Sequence, residues 1–299
     1  MKVSILIVTY QSQNEILNCI SSIYKNILNV EFEIIIIDNA STDKTIKVIR
    51  NQFPDVIIQE NNINKGFASA NNVGAKIAKG EFLLFLNPDS VMTDNIIEVL
   101  LSIYNSDDNY GIVAPQINNA DGSFQFSTGK EPTISSTLFE AYGMYLFFPK
   151  TFFGYRNAST KEDRIHVNWV TGACFIIKKE FFDMLSGFDE NFFLYLEDVD
   201  ICIRAQKEIK KSIIYTTKTS IIHYRGKSSK NDSYISKISS YKSKLYYHKK
   251  HNGYITYLAL FPIIYFSILC KLLSLILLMR GKQQIVAQFK VLFKIFSKK

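Results

Sequence analysis

The sequence predicts an α/β fold in which a mostly parallel, doubly wound sheet occupies residues 1–230 and a helical region follows over 231–299. Three observations carry that expectation. Short β-branched runs alternate with helical patterns, the order that builds parallel strands joined by crossover helices. Polar residues cluster where the runs stop, at Thr9 and Tyr10, at Asp38 and Asn39, and at Asn87 and Asp89. The charge changes character at Asp232, after which there is no acidic residue.

The elements follow in order. Residues 3–9 (VSILIVT) are an apolar run of strand length, as a strand buried on both faces requires. Ser12 and Glu15 have capping-box spacing, which predicts a helix to about Leu28. Residues 32–37 (FEIIII) predict a second buried strand ending at Asp38, and Ser41, Thr42 and Asp43 can cap a short helix to Arg50. A third strand is expected at Val56–Gln59, a small-residue helix at Gly66–Ala78 and a fourth strand at Phe82–Leu86. A helix over Thr93–Tyr104 and a strand at Gly111–Ala114 continue the alternation. From about residue 115 to 165 the pattern loosens, and NNADGSFQFSTG indicates a hairpin or loop. Order resumes with a strand over Asn168–Lys178, a helix from Glu197 to about Lys207, and two short strands near Ile213–Thr216 and Ser220–His223. Right-handed crossovers place the strand carboxyl ends on one rim, where ligands of such sheets bind.

Beyond Asn231 the chain is rich in Lys and Tyr and predicts a helix. Tyr254–Met279 is then apolar and long enough to cross a bilayer, which takes about 20 residues. Pro262 would kink such a helix, and Lys271 puts a charge inside it, so a span and an in-plane hairpin are equal expectations. Ile285, Phe289, Leu292, Phe293 and Phe296 recur at helical spacing with Lys290, Lys294 and Lys298 between them, the pattern of a basic interfacial helix. The twelve Lys and Arg after Asp232 leave 23 basic against 27 acidic side chains before it, a net of −4, so the overall +8 belongs to the tail. A basic tail implies a polyanionic partner, and its long apolar core favours an anionic membrane surface over nucleic acid. Cys19, Cys174, Cys202 and Cys270 lack the short spacing of a zinc site or disulfide framework and read as reduced core thiols. The opening MKVSILIVTY is too short for a signal sequence, so a cytosolic compartment is expected.

Five constellations carry chemistry. Asp38, after a buried strand, either accepts bonds from a base or ribose or caps the next helix. Asn64–Gly74 (NKGFASANNVG) either lets a helix N-terminus approach a phosphate, with Lys65 adding charge, or serves tight helix–sheet packing. Asn87, Pro88 and Asp89 form a turn whose carboxylate suits a hard divalent cation, which needs one or two protein carboxylates beside ligand phosphate oxygens, or simply closes a strand. Glu197, Asp198 and Asp200 crowd beside Phe192, Phe193 and Tyr195, where partial desolvation would raise a carboxylate's pKa and make a base; capping by the helix dipole is the plainer reading. His223 ends a strand and is either structural or a third metal ligand.

Taken in order, VSILIVTYQS, IIIIDNASTD, NKGFASANNVG, FLLFLNPDS, VTGACFIIKKEFF, GFDENFFLYLEDVDICIR and IIHYRGKSS resemble family 2 glycosyltransferases of the GT-A fold, and most of all bacterial rhamnosyltransferase-like enzymes of O-antigen, capsule or cell-wall synthesis. The resemblance covers residues 1–230. It implies an inverting transfer of rhamnose or a similar hexose from a nucleotide-diphosphate sugar to a hydroxyl of a lipid-linked or other glycan acceptor, at the cytoplasmic face of the membrane. By the same resemblance Thr9, Tyr10, Asp38 and Asn39 hold base and ribose, and Lys65, Gly66, Asn71 and Asn87 line the donor pocket. Asp89 and His223 would bind Mg²⁺ or Mn²⁺, Asp198 would be the catalytic base, and Trp169 and Glu197 would meet the acceptor. Asn87 stands where the metal motif of the wider family begins with Asp, and Ser186 stands where Gly often precedes GFDE. A sugar nucleotidyltransferase is the alternative enzyme class, but it needs a Gly-rich basic loop after the first strand, where this chain has Thr9, Tyr10, Gln11 and Ser12.

Overall fold

The computed structural model describes residues 2–142, 163–224, 233–277 and 282–295. The expectations for Arg225, Gly226, Met279, Arg280, Phe296 and Lys298 fall outside them. The chain forms two compact units. The first comprises Met1–Glu131, Tyr155–Glu190 and Glu197–Ser228. The second comprises Pro132–Gly154, Asn191–Leu196 and Ser229–Lys299.

The first unit opens with β1 (Val3–Thr9), α1 (Ile16–Asn26), β2 (Phe32–Asp38), α2 (Thr45–Gln52), β3 (Ile57–Glu60), α3 (Phe67–Ile77), β4 (Phe82–Leu86), β5 (Ser90–Met92), α4 (Ile96–Tyr104), β6 (Tyr110–Asn118) and β7 (Thr128–Gly129). α5 (Ile134–Ala141) lies in the second unit. β8 (Arg164–Val167), β9 (Trp169–Val170), β10 (Cys174–Lys178), α6 (Lys179–Met184), α7 (Glu197–Glu208) and β11 (Ser212–His223) complete the first. The second unit adds α8 (Ser233–Asn252), α9 (Tyr254–Leu277) and α10 (Lys282–Lys294).

Along the main sheet the strands follow the order β3-β2-β1-β4-β10-β6-β11-β5, with β8 also paired to β11. The parallel pairs β3/β2, β2/β1, β1/β4 and β6/β11, with β10 antiparallel between β4 and β6, give six strands a common direction. The sheet is mostly parallel, as expected; β10, β5 and β8 run against the common direction. The reason lies in the connection. The chain reaches β10 from the rim, at Thr171–Ala173, so Cys174 pairs with Leu86 and the strand must run down toward Phe82.

Alternate residues of β1 enter separate cores. Val3, Ile5 and Ile7 pack with Ile16, Ile20 and Ile23 of α1, while Leu6 and Val8 face Ala68, Ala70 and Ala75 of α3 and Ile201, Cys202 and Ala205 of α7. Helices thus cover both faces, which is why the strands read as continuous apolar runs. Gly74 serves this packing, since a Cβ there would lie 2.5 Å from Ile37 Cδ1. Gly66 is the turn residue that starts α3, with φ +87°. Cys19, Cys174 and Cys202 are buried free thiols of this unit, and Cys270, half-buried, belongs to the other.

Three local expectations change. The Ser12–Glu15 capping box does not form, because Ser12 Oγ turns to the Tyr10 carbonyl at 3.3 Å and α1 begins only after Glu15. The expected strand Asn168–Lys178 is broken at Thr171–Ala173 into β9 and β10, in different sheets. The two expected strands after Ile213 are one, β11, interrupted by a bulge between Thr216 and Ser220 that breaks its alternation. Ser186 has φ +57°, a left-handed conformation that costs a non-glycine residue about 1–2 kcal/mol.

That turn is held by one buried ion pair. Arg204 Nε donates to Asp200 Oδ2 at 2.7 Å, while its two remaining nitrogens donate to the carbonyls of Leu185 and Gly187, the latter at 2.8 Å. Asn72 adds a reciprocal pair of bonds to Phe188, of 2.9 Å each. Arg204→Met is expected to cost about 3–5 kcal/mol in urea unfolding, because it removes the positive charge that neutralises a buried carboxylate and the donors to two carbonyls. Adding Asp200→Leu to that variant should recover part of the loss; a double variant as unstable as the single one would contradict the assignment.

Candidate active site

The carboxyl ends of β1, β2, β4 and β11 share one rim, and they carry Thr9, Asp38, Asn87 and His223. Thr9 and Asp38 are register partners, and Thr9 Oγ1 donates to Asp38 Oδ1 at 2.9 Å. Ser41 holds the same carboxylate through its hydroxyl (2.6 Å) and its amide (2.8 Å). Asn39 is committed to the protein: its amide donates to the Gly66 carbonyl and accepts from Asn61, both at 3.0 Å. It therefore ties the end of β2 to the start of α3. Lys65 is exposed beside that helix N-terminus, and Tyr10 is half-buried. Asn71 is buried, donates to Phe67 O at 3.0 Å, and its Oδ1 has no protein partner.

Asn87, Asp89 and His223 meet although they lie far apart in the chain. β5 leaves the Asn87–Asp89 turn and pairs antiparallel with the end of β11, placing Ser90 opposite His223, and the Tyr224 amide donates to the Asp89 carbonyl at 2.9 Å. His223 Nε2 lies 3.1 Å from Asp89 Oδ1 and 3.2 Å from Asn87 Nδ2. Gln125 fixes the ring. Its amide nitrogen donates to Asn119 Oδ1 (2.8 Å) and to the His223 carbonyl (3.1 Å), so its oxygen faces His223 Nδ1 at 2.6 Å as an acceptor. Nδ1 then carries the proton of a neutral ring, leaving the Nε2 lone pair toward the Asp89 carboxylate. The Asn87 Nδ2–H lies against the same lone pair and can donate to it. A carboxylate and an imidazole nitrogen, with the Asn87 amide beside them, could hold a divalent cation that draws further oxygens from a bound phosphate. Among the described residues no three His, Cys, Asp or Glu side chains gather as a closed metal cage.

Asp198 joins this group through the turn Thr171–Ala173. The Gly172 amide donates to Asp198 Oδ2 at 2.8 Å, and one residue later the Ala173 carbonyl accepts from the Asn87 amide at 3.0 Å. The ring of Phe67 packs on Gly172, where a Cβ would be 3.3 Å from Cε1 and 3.6 Å from the Asp198 Cβ. Asp198 Oδ1 accepts from its neighbour's amide at 2.8 Å. Burial raises the Asp198 pKa above the ordinary carboxylate range, against the lowering by the Gly172 and Val199 amides and the Thr171 hydroxyl. Glu197 is buried, with Oε2 unpartnered; burial first, and then the charge of Asp198, push its pKa well up. Trp169 precedes the same turn, but its indole N–H donates to the Lys130 carbonyl at 2.8 Å and its ring covers Gly129, which leaves only ring surface for a ligand.

Gln125, Thr171 and Gly172 are the residues the sequence did not point to. Gln125 lies within the irregular NNADGSFQFSTG stretch, and only its place on His223 distinguishes it.

The model of the family described as "Glycosyl transferase family 2" matches residues 4–185, more than half of the chain. The chain belongs to this family. It is 29% identical over 209 residues to the low-salt glycan biosynthesis hexosyltransferase Agl10 of Haloferax volcanii, an alignment covering 69% of this chain and 62% of that protein. It is 25% identical over 235 residues to the N-acetylglucosaminyl-diphospho-decaprenol L-rhamnosyltransferase of Mycobacterium tuberculosis, covering 74% of this chain and 76% of the relative. Among solved structures, residues 1–349 of Staphylococcus aureus TarS superpose with a TM-score of 0.55 at 15% identity, over 100% of this chain and 73% of that one. GalNAc-T7, solved with UDP, GalNAc and Mn²⁺, gives 0.57 at 17% identity, over 83% and 50%. The fold of this family 2 chain is therefore GT-A.

The buried acid at position 197 makes stability depend on pH. Its folded pKa lies above its unfolded value of about 4.3, so the unfolded chain releases this proton first. The stabilising contribution, complete below that value, is lost as pH rises toward the folded pKa. Glu197→Gln should flatten this part of the urea-midpoint profile; an unchanged slope would show that the carboxyl is not desolvated.

Proposed function

We propose that this family 2 chain is an inverting glycosyltransferase. It moves rhamnose or a similar hexose from a nucleotide-diphosphate sugar to a hydroxyl of a lipid-linked glycan acceptor, in cell-surface polysaccharide synthesis at the cytoplasmic face of the membrane. The observation that carries the reading is the Thr171–Ala173 turn, whose Gly172 amide bonds the Asp198 carboxylate and whose Ala173 carbonyl receives the amide of Asn87, the neighbour of the Asp89–His223 pair. The names of the hexosyl- and rhamnosyltransferase relatives support transfer of a hexose, and the decaprenol of the second supports a lipid-linked acceptor. The UDP and Mn²⁺ of GalNAc-T7 support a nucleotide donor and a divalent cation.

The chemistry follows from this chain's residues. Asp38, fixed by Thr9 and Ser41, offers a remaining lone pair to the ribose or base, beside Tyr10 and Asn39. Lys65, Gly66 and Asn71, at the start of α3, lie toward the phosphates, where a helix N-terminus favours negative charge. Asp89 and His223, with Asn87, would hold Mg²⁺ or Mn²⁺, which supplies charge neutralisation to the departing diphosphate. Asp198 takes the proton of the acceptor hydroxyl as its oxygen attacks the anomeric carbon from the face opposite the leaving group. The carbon–oxygen bond to the diphosphate breaks in the same displacement, so the configuration inverts and no covalent enzyme intermediate forms. Trp169, just before the Thr171–Ala173 turn, and Glu197, next to Asp198 in sequence, would orient the acceptor, and such positioning supplies much of the acceleration.

Asp198→Asn should abolish transfer with nucleotide binding nearly intact, read by radiolabelled-sugar incorporation and by calorimetry with the nucleotide; full activity would refute the base. Because burial raises the Asp198 pKa, single-turnover rates in the wild type should fall as pH drops through the raised value and level off above it. A profile that ignores pH on its acid side would contradict this. EDTA should remove activity and Mg²⁺ or Mn²⁺ restore it, whereas undiminished turnover in chelator would take the cation out of the mechanism.

A further inference from the structure

We propose, building on the reading that the chain works at a membrane, that its helical unit lies in the plane of an anionic leaflet on the outer face of α9 and α10, and that α9 does not cross the bilayer. α9 is the one candidate span among the described residues, with a mean hydropathy of 2.2. Length and composition alone allow either orientation, and the packing of the helices decides between them.

One face of α9 is used inside the unit. Leu260, Ile264, Ile268 and Leu272 are buried against Leu245 of α8 and Val291 and Leu292 of α10. The opposite face is apolar and open: Ile255 is 84% exposed, Leu258 53%, Phe266 56%, Leu273 50% and Leu277 81%. Phe289 and Phe293 of α10, with ring centroids 4.7 Å apart, are also exposed.

α8 accompanies α9 along its length. Gly253, with φ +89°, turns the chain from one helix into the other. Beside that turn Lys249 Nζ lies 5.7 Å from the ring centre of Tyr254 and 6.0 Å from that of Tyr257. Toward the far end of α9, Lys271 Nζ donates to Tyr241 Oη at 3.0 Å and lies over the same ring. α8 carries Lys237, Lys242, Lys244, Lys249 and Lys250, and Lys244 pairs with Glu140 of α5 at 2.7 Å. If α9 spanned, this polar helix and its ion pair would be drawn to the depth of the hydrocarbon, where each charged side chain is costly. Lying flat, the unit buries only the open apolar face. Tyr254, Tyr257 and the lysines of α8 and α10 then come level with the headgroups, as interfacial anchors do. The occupant is anionic lipid because the charge of the region is entirely basic after Asp232.

The test uses the full chain with Cys270→Ser, into which Leu258→Cys, Phe266→Cys or Leu273→Cys is introduced singly and labelled with an environment-sensitive fluorophore. Phosphatidylcholine vesicles containing phosphatidylglycerol should shift all three emissions to the blue. Lipids quenching near the headgroup should quench the three equally, and an epitope tag after Lys299 should stay open to protease added outside. A profile with Phe266 deepest, or a protected tag, would mean a span and overturn the proposal. Absence of any shift would overturn the membrane seat itself, and equal shifts with phosphatidylcholine alone would overturn the anionic preference. Sugar transfer to a soluble acceptor in detergent is measured separately, so loss of the transferase reading is distinguishable from loss of the in-plane seat.

Discussion

Two backbone hydrogen bonds made by adjacent residues organise the candidate site. The Gly172 amide holds Asp198, and the Ala173 carbonyl receives the Asn87 amide. Between them they join the start of α7 to the end of β4 across a three-residue turn. Neither group could be placed so closely by the parallel strands alone. The turn exists because β10 enters the sheet from the rim, against its neighbours. The reversed strand is therefore what ties the Asp198 carboxylate and the Asn87 backbone to one turn.

The electrostatics of the site follow from the same placement. Asp198 sits deep enough for burial to raise its pKa, yet each oxygen already receives an amide hydrogen that moderates the rise. Glu197, one residue away, has an oxygen with no such partner and is shifted further. Adjacent carboxyls in unequal surroundings differ in proton affinity, and here the more deeply desolvated one holds its proton more strongly.

Much of the fold was legible because buried parallel strands leave continuous apolar runs, and because residues 9, 38 and 87 mark where those runs stop. What escaped depends on contacts distant in the chain. Strand direction at Cys174 is set by where the chain re-enters the sheet, which no local pattern encodes. The bulge of β11 breaks periodicity and so looked like two strands. Ser12 and Glu15 have the right spacing for a capping box, but the hydroxyl finds a nearer carbonyl at Tyr10. For the candidate site, the residues with charge or a ring were visible in the sequence, whereas Gln125, which sets the tautomer of His223, is an ordinary amide in an irregular loop. The helical region was readable as apolar and basic, but the pairing of Lys271 with Tyr241, which joins α9 to α8, was not.

The distribution of thiols gives the molecule built-in reporters. Cys19, Cys174 and Cys202 are sealed in the sheet unit, where burial raises their pKa far above the usual thiol range and leaves them unreactive until that unit opens. Cys270 stands in the helical unit, half-buried. Alkylation timed by mass spectrometry would thus register the breathing of each unit on a separate clock, with no probe added to the native chain.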